Sequence, residues 1–194
     1  MTTTRIALAS AASLLLAGCI SFGAKPPESL LSLTPTSSVA AGTAINGDVA
    51  QAIQVVEPEA PAKLAVNRVP VQIDDTQVAY VEDAVWVDKP TRLFRKLLGE
   101  TIRARTGRLV IDHDDPALTP TNQLRGNLID FGYDARTASV VVTFDAVRDT
   151  NGTQVMTRRF SATVPVVTPE AGPVGAALNQ AANDVAGQVA DWVR

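Results

Sequence analysis

The 194-residue chain has few of the side chains from which most enzymes and metal sites are built. It contains one cysteine, Cys19, and one histidine, His113. This inventory excludes a Cys/His nucleophile pair, a histidine-rich zinc site and an intrachain disulfide, and it leaves a serine triad only one possible base. Neither a GxxxxGK[ST] loop nor a GxGxxG motif occurs, so nothing favours nucleotide binding. We therefore expect no catalytic group, no metal and no cofactor.

A basic excess and a membrane-spanning apolar run are also missing. The chain carries 17 basic and 20 acidic side chains, which gives no basic footprint for nucleic acid. The uncharged N-terminal stretch IALASAASLLLAG, Ile6 to Gly18, follows Arg5. It is shorter than the roughly 20 apolar residues that cross a bilayer. This combination predicts a secretory signal peptide.

The single cysteine stands directly behind that stretch, in the order Leu16-Ala17-Gly18-Cys19. Small residues directly before a cysteine match the lipobox of bacterial lipoproteins. The resemblance implies cleavage between Gly18 and Cys19, a diacylglyceryl group on the thiol and acylation of the new α-amine. At about 0.8 kcal/mol per buried CH₂, several acyl chains hold a protein stably on a membrane. The alternative is an apolar cysteine within an ordinary signal peptide.

The chain is therefore predicted to form one domain on a lipid tether. Residues 1–18 are the predicted signal peptide, 19–27 the tether and 28–194 the domain. Removal of the signal leaves 16 basic against 20 acidic side chains, and the remaining length fits one domain of about 100 to 200 residues. Ile20 and Ser21 lack the aspartate that retains enterobacterial lipoproteins at the inner membrane. This favours a periplasm-facing protein on the outer membrane over one on the inner membrane.

The segment DKPTRLFRKLLGETIRARTG has the apolar period of a helix, with apolar residues three and four apart. Asp88 suits the N-cap, Pro90 the first turn and Gly107 the end of this helix. Its basic residues favour a solvated face over the alternative, a patch for anionic lipid; they are Arg92, Arg95, Lys96, Arg103 and Arg105.

A second helix is predicted for GPVGAALNQAANDVAGQVADWVR. Apolar residues recur there with the same spacing from Val174 to Val193. The polar residues Asn179, Asn183, Asp184 and Asp191 are expected to face outward. The many alanines permit close approach of this helix to a sheet.

Strands are predicted between and before the helices. Ile53 to Glu57 forms a short strand, and Pro70 within a β-branched run indicates an edge strand or a bulge. An antiparallel meander follows, with Asn151-Gly152 at a type I′ turn. One face of so apolar a meander needs cover. The predicted fold is therefore α+β, with a mixed or mainly antiparallel sheet packed against two long helices.

The order of segments resembles the ABC-type transport auxiliary lipoprotein family over nearly all of the mature chain. The resemblance rests on the lipobox, LLSLTP, AYVEDAVWVDKPTRLFRKLL, RRFSATVPV and ALNQAANDVAGQVADWV. A Tyr-x-Leu-type strand commonly follows the tether in that family, whereas this chain has Leu31-Ser32-Leu33. The family's aromatics correspond to Tyr80, Trp86 and Trp192, which we interpret as packing residues.

The resemblance implies a non-enzymatic subunit of a system that moves lipid or another hydrophobic solute across the envelope, as in the paraquat-inducible and Mla-like systems. The implied partners are an ATPase, a permease and a periplasmic protein of the MCE (mammalian cell entry) type. The lipoprotein would dock that conduit to the membrane that bears its acyl chains.

Two other classes of function stay open at this point. An outer-membrane assembly or scaffold lipoprotein unrelated to transport would have the same anchor and fold. An enzyme would have to use His113, Asp114 or Asp115 in IDHDDPA, where a polar strand end running into a turn is the simpler interpretation. We instead predict that Asp114 and Asp115, together with the Pro70 segment, contribute to a partner surface, because loops and sheet edges accept contacts without unpacking the core.

Overall fold

The computed structural model describes residues 27–194, apart from 116, 119 and 151. These residues form an α+β domain of seven strands and two α-helices, which confirms the predicted fold class. The strands are β1 Ile53–Val55, β2 Arg68–Gln72, β3 Val78–Val85, β4 Val110–Ile111, β5 Asn122–Asp134, β6 Ser139–Thr150 and β7 Gln154–Pro165, and the helices are α1 Pro90–Thr106 and α2 Ala171–Val193. None of the described helices is long and apolar enough to cross a bilayer.

The sheet is mixed and is organised around β5. On one side, β6 and β7 continue it as the predicted antiparallel meander. On the other side, two short strands share β5 in parallel: β1 pairs with its beginning, and β2 pairs with its end. β4 lies beyond β1, and β3 lies antiparallel beyond β2. β3 and β7 are consequently opposite edges of the sheet.

Pro70 lies in an interior strand, so the prediction of an edge strand is wrong. β2 runs between β3 and β5, and Pro70 is buried there. The predicted bulge is nevertheless present, since the β2–β3 register shifts between Arg68 and Pro70. A proline is tolerated at such a shift because the hydrogen-bond ladder is already interrupted. Gly132 of β5 gives it room: a Cβ there would lie 2.5 Å from the carbonyl oxygen of Pro70.

The core lies between one face of the sheet and the two helices. The predicted apolar stripe of α1 is buried throughout, and the apolar stripe of α2 from Val174 to Val193 is buried except for the half-buried Trp192. The ring of Phe94 on α1 lies 6.2 Å from that of Phe131 and 5.3 Å from that of Phe144. These aromatic contacts hold α1 against β5 and β6, because paired rings stabilise a core by more than the burial of their surface area alone.

The predicted limits of α1 agree with its structure except at the cap. The helix begins at Pro90 and ends at Thr106, and the following Gly107 caps it with a φ of 67°, the left-handed conformation that glycine adopts without strain. Asp88 does not cap the first turn. Its Oδ1 accepts a 2.7 Å hydrogen bond from the backbone N–H of Lys89, which precedes the helix.

Candidate interaction surfaces

Asp114 holds the side chain of a buried arginine. Arg95 of α1 is only 6% exposed, and its Nε donates a 2.7 Å hydrogen bond to the carbonyl oxygen of Val55. Its Nη2 donates to Oδ1 of Asp114 across 2.9 Å. The expectation of a solvated face is therefore wrong for Arg95. A guanidinium can be buried when its donors are satisfied in this way.

The neighbours of Asp114 form a polar turn after β4. Oδ1 of Asp115 accepts a 3.0 Å hydrogen bond from the N–H of Ala117. The side chain of His113 is 66% exposed, and its Nδ1 lies 3.6 Å from Oδ1 of Asp112. No group of three Cys, His, Asp or Glu side chains in the described part of the chain is placed to hold a metal ion. The turn therefore brings Asp114 and Asp115 to the surface but assembles no metal site among these residues.

The three aromatics that the sequence singles out lie in separate places. Trp86 is 1% exposed, and its ring centroid lies 5.4 Å from that of Phe131. Trp192 is half-buried near the end of α2, and its ring centroid lies 5.6 Å from that of Phe160. Tyr80 of β3 is half-buried. The guanidinium carbon of Arg68 lies over its ring, 4.8 Å from the ring centroid of Tyr80. Each packs against different neighbours, so the three do not form one site.

Residues 31–39 form a strap across the helices. For the first part of it the sequence indicates a short strand, with Leu31 and Leu33 on one face and Pro35 at its end, whereas the structure has an isolated β-bridge between Leu31 and Trp86. The strap begins beside the end of β3, where the N–H of Leu31 donates to the carbonyl oxygen of Val85 at 2.7 Å. Further along, the N–H of Val39 donates to Oε1 of Glu100 on α1 at 2.7 Å. The strap therefore crosses from the β3 edge over the helix layer.

Asn183 of α2 is the main attachment point of the strap. Its Oδ1 accepts hydrogen bonds from the backbone N–H of Thr36 at 2.8 Å and from the hydroxyl of that residue at 3.1 Å. Its Nδ2 donates to the carbonyl oxygen of Thr34 at 2.9 Å. Asn183 is 7% exposed, so the expectation that it faces solvent is wrong: it points away from the sheet but lies under the strap. In the sequence, the spacing of Asn179 and Asn183, one helical turn apart, was the pattern that could have indicated a contact on this face of α2.

The opposite edge of the sheet is the open edge of β7. Within the described residues β7 pairs only with β6, and of its 12 residues only Phe160 is buried. The N–H of Val166 donates to the carbonyl oxygen of Ala138 at 2.8 Å. These two residues are therefore a hydrogen-bonded pair, and they stand next to the pair Ser139–Pro165 of the β6–β7 ladder. Because hydrogen-bonded and non-hydrogen-bonded pairs alternate, the odd-numbered residues of β7 turn their backbone groups to the open edge. They are Val155, Thr157, Arg159, Ser161 and Thr163, with the carbonyl of Pro165.

Two adjacent arginines lie near the middle of this edge, and β7 contains no acidic residue. On the outer face, Nε and Nη2 of Arg159 donate to the two carboxylate oxygens of Asp145, both at 2.6 Å. These hydrogen bonds hold the pKa of Asp145 below its usual value. On the helix face, the guanidinium of Arg158 lies 5.2 Å from the ring centroid of Phe160. The edge therefore has an arginine paired with Asp145 on the outer face, and on the helix face an arginine without an ion pair in the described part of the chain.

Comparison with known proteins places this fold in a family. No curated protein matches the chain in sequence. The crystal structure of protein XCC0632 from Xanthomonas campestris, of the DUF330 family, is similar with a TM-score of 0.67 and 17% identity, over 85% of this chain and 94% of that one. A crystal structure described as an uncharacterized protein has a TM-score of 0.65 and 17% identity, over 74% and 92% of the two chains. At this identity the two structures share the fold alone.

The sequence model of one family covers the folded domain nearly completely. The model described as ABC-type transport auxiliary lipoprotein component matches residues 30–190. This range begins one residue before the strap and ends in the last turn of α2, so it includes every strand, all of α1 and nearly all of α2. The chain therefore belongs to the ABC-type transport auxiliary lipoprotein family, whose members are described as auxiliary lipoprotein components of ABC-type transport.

Proposed function

We propose that this protein is a non-catalytic, lipid-anchored subunit of an ABC-type transporter that works with a periplasmic MCE-type protein. It docks the conduit for lipid or another hydrophobic solute to the membrane that bears its own acyl chains, which we expect to be the outer membrane. The observation that carries the proposal is the family match across residues 30–190. A subunit with this role acts through its surfaces and needs no catalytic side chain.

The strap supports the anchoring part of the proposal. It ties the beginning of the domain to the β3 edge, through the backbone of Leu31, and to α2, through Asn183. Residues 19–30 separate the predicted acyl chains on Cys19 from this fixed point. At about 3.3–3.6 Å per residue these residues reach at most about 40 Å. The domain is therefore confined to a layer near the membrane surface.

In-cell crosslinking followed by membrane fractionation tests the proposal. The full-length lipidated protein should fractionate with the outer membrane and carry an ABC permease, an ATPase and an MCE-type protein into the purified material. Residues 1–27 fused to an unrelated domain are the matched control, because this fusion keeps the anchor and lacks the folded domain. If the full chain recovers no more of these subunits than the fusion does, the transport role is wrong, and a scaffold lipoprotein unrelated to transport is favoured.

A further inference from the structure

We infer that the open edge of β7 binds an extended, acidic segment of a partner protein, which adds to the sheet as a further strand and places carboxylates opposite Arg158 and Arg159. The partner is taken to belong to the transport system, so the inference rests on the proposed function for its identity. The addition of the strand itself is argued from β7 alone.

The backbone of β7 is a regular template, and its outward N–H groups are not interrupted by a bulge or by a proline before Pro165. Its pairing with β6 is continuous in register from Gln154 to Pro165, without a bulge. Natural sheets usually protect such edges with bulges, prolines, short strands or covering segments. At the opposite edge, the strap covers the end of β3. On β7 the only proline is Pro165, at the last position. The outward N–H and C=O groups from Val155 to Thr163 are therefore placed to pair with another strand.

The side chains of β7 indicate the charge of that strand. Residues directly opposite each other on paired strands have Cβ atoms about 4.5–5.5 Å apart, and opposite charges stabilise such pairs. Arg158 and Arg159 are consecutive and lie on opposite faces of the sheet, so two consecutive acidic residues would meet one arginine on each face. Arg158 forms no ion pair in the described part of the chain, and its guanidinium lies over the ring of Phe160.

The residues beside the arginines indicate the rest of the segment. Val155 is 58% exposed and Met156 is 39% exposed, and both lie on the N-terminal side of Arg158. These apolar side chains favour an apolar residue a few positions away from the acidic pair, because burial of exposed apolar area stabilises a complex. Thr157, Ser161 and Thr163 add hydroxyl and methyl groups that suit β-branched neighbours.

A second copy of β7 is a poor occupant of the same edge. It carries the same two arginines and no carboxylate, so it supplies no charge of opposite sign. Antiparallel pairing centred on Arg158 or Arg159 would place like charges directly opposite each other, which is destabilising. The charge of the edge therefore favours a different chain.

Two substitutions test the edge without breaking its pairing with β6. Thr157→Pro removes an outward N–H, and proline is tolerated on an edge strand when the lost donor faces away from the ladder. Arg158→Glu reverses the charge of the arginine that has no ion pair in the described chain. The matched controls are Thr157→Val, which keeps the N–H, and Ala171→Pro, which places a proline at the first position of α2, where helices accept it.

The experiment is quantitative co-purification of full-length, lipidated variants from native membranes, with melting curves recorded beside it. Thr157→Pro and Arg158→Glu should each reduce recovery of the MCE-type protein by about tenfold, the effect of losing one charge-assisted pair or part of a strand ladder. The two controls should match the wild type. Thr163→Pro, at another outward position, replaces Thr157→Pro if that variant melts early.

The outcomes separate the two proposals. If the wild type recovers the transporter subunits and both edge variants recover them equally well, the strand-addition inference is wrong and the proposed function stands. If the wild type recovers none, the proposed function is wrong. A photo-crosslinker placed at Thr163 then identifies the occupant: an acidic extended peptide of another protein supports the inference, whereas the β7 peptide of a second copy, or no peptide, overturns it.

Discussion

Nη2 of Arg95 donates to Oδ1 of Asp114 across 2.9 Å, although the side chain of Arg95 is 7% exposed and that of Asp114 is 90% exposed. The pair thus joins the core to the turn that follows β4. A partner surface at Asp114 and Asp115 stays a prediction. A change at Asp114, however, alters the fold as well as any partner contact, so Asp115 is the cleaner position for a binding test.

Asp114→Ala should lower the free energy of unfolding by about 1 kcal/mol, because it leaves the guanidinium of Arg95 without its carboxylate while the exposed side of the pair stays solvated. Asp115→Ala should change it by less than about 0.5 kcal/mol. Urea denaturation of the domain without its signal and Cys19 measures both values. Equal stability of the two variants would mean that the Arg95–Asp114 contact contributes nothing.

The two tryptophans should differ in their contribution to stability. Trp86→Ala should cost about 3–5 kcal/mol, since the ring is fully buried against Phe131. Trp192 is only half-buried, so Trp192→Ala should cost less than Trp86→Ala. Thermal and urea unfolding of both variants provide the comparison, and a larger loss for Trp192→Ala would contradict the packing described above.

Asn183→Ala should release the strap while leaving the helices folded. The substitution removes hydrogen bonds to the backbone of Thr34 and Thr36, each worth about 0.5–1.5 kcal/mol. Hydrogen exchange should become faster over residues 34–39 and remain slow in α1. Asp184→Ala, at the exposed neighbouring position, is the control and should leave exchange of the strap unchanged. Unaltered protection of residues 34–39 in Asn183→Ala would show that Asn183 does not hold the strap.

Lowering the pH should remove the stabilising contribution of Asp134 in the turn between β5 and β6. Hydrogen bonds from Arg136 at 3.0 and 2.8 Å hold the pKa of Asp134 below its usual value. A carboxyl whose pKa is lower in the folded than in the unfolded chain stabilises the fold above the unfolded pKa, about 3.9, and loses this effect as pH falls through the folded pKa.

Asp134→Asn should therefore be less stable than the wild type at pH 7, by less than about 1 kcal/mol because the pair is near the surface. The difference should shrink as the pH falls below about 4. Urea denaturation at a series of pH values measures it, with Asp184→Asn as the control. A difference that stays constant from pH 7 to pH 2 would contradict the assigned role of Asp134.

Anchoring should depend on the sulfur of Cys19, which lies outside the described residues. The order Leu16-Ala17-Gly18-Cys19 predicts that Cys19→Ser remains an unprocessed precursor without a diacylglyceryl group. Labelling with radioactive palmitate, followed by fractionation, tests this prediction. A Cys19→Ser protein labelled as strongly as the wild type would refute it.

The sequence predicts the parts of this fold that have a local cause. The three-and-four spacing of apolar residues in α1 predicts its buried stripe, and Pro90 and Gly107 predict its limits. The alternation of β-branched residues likewise predicts the meander of β5, β6 and β7. In these cases the residues that decide the structure lie next to each other in the chain.

The features that the sequence did not predict depend on distant partners. The strap is held by Asn183, a side chain more than 140 residues further along the chain. The burial of Arg95 depends on the carbonyl of Val55, 40 residues before it. Pro70 indicates an interruption in the hydrogen bonds between two strands, but the pairing of β2 with β5 places this interruption inside the sheet. The open edge of β7 could be located only once the strand order was known.

The central claim, membership of a transport complex, is tested most directly by purifying the lipidated protein from its own membranes in mild detergent and measuring the subunit ratio by mass spectrometry. The proposed role predicts a complex that contains an ABC permease, an ATPase and an MCE-type protein in fixed proportion to the lipoprotein across independent preparations. A lipoprotein that elutes alone, or with envelope proteins that include none of these subunits, would contradict it.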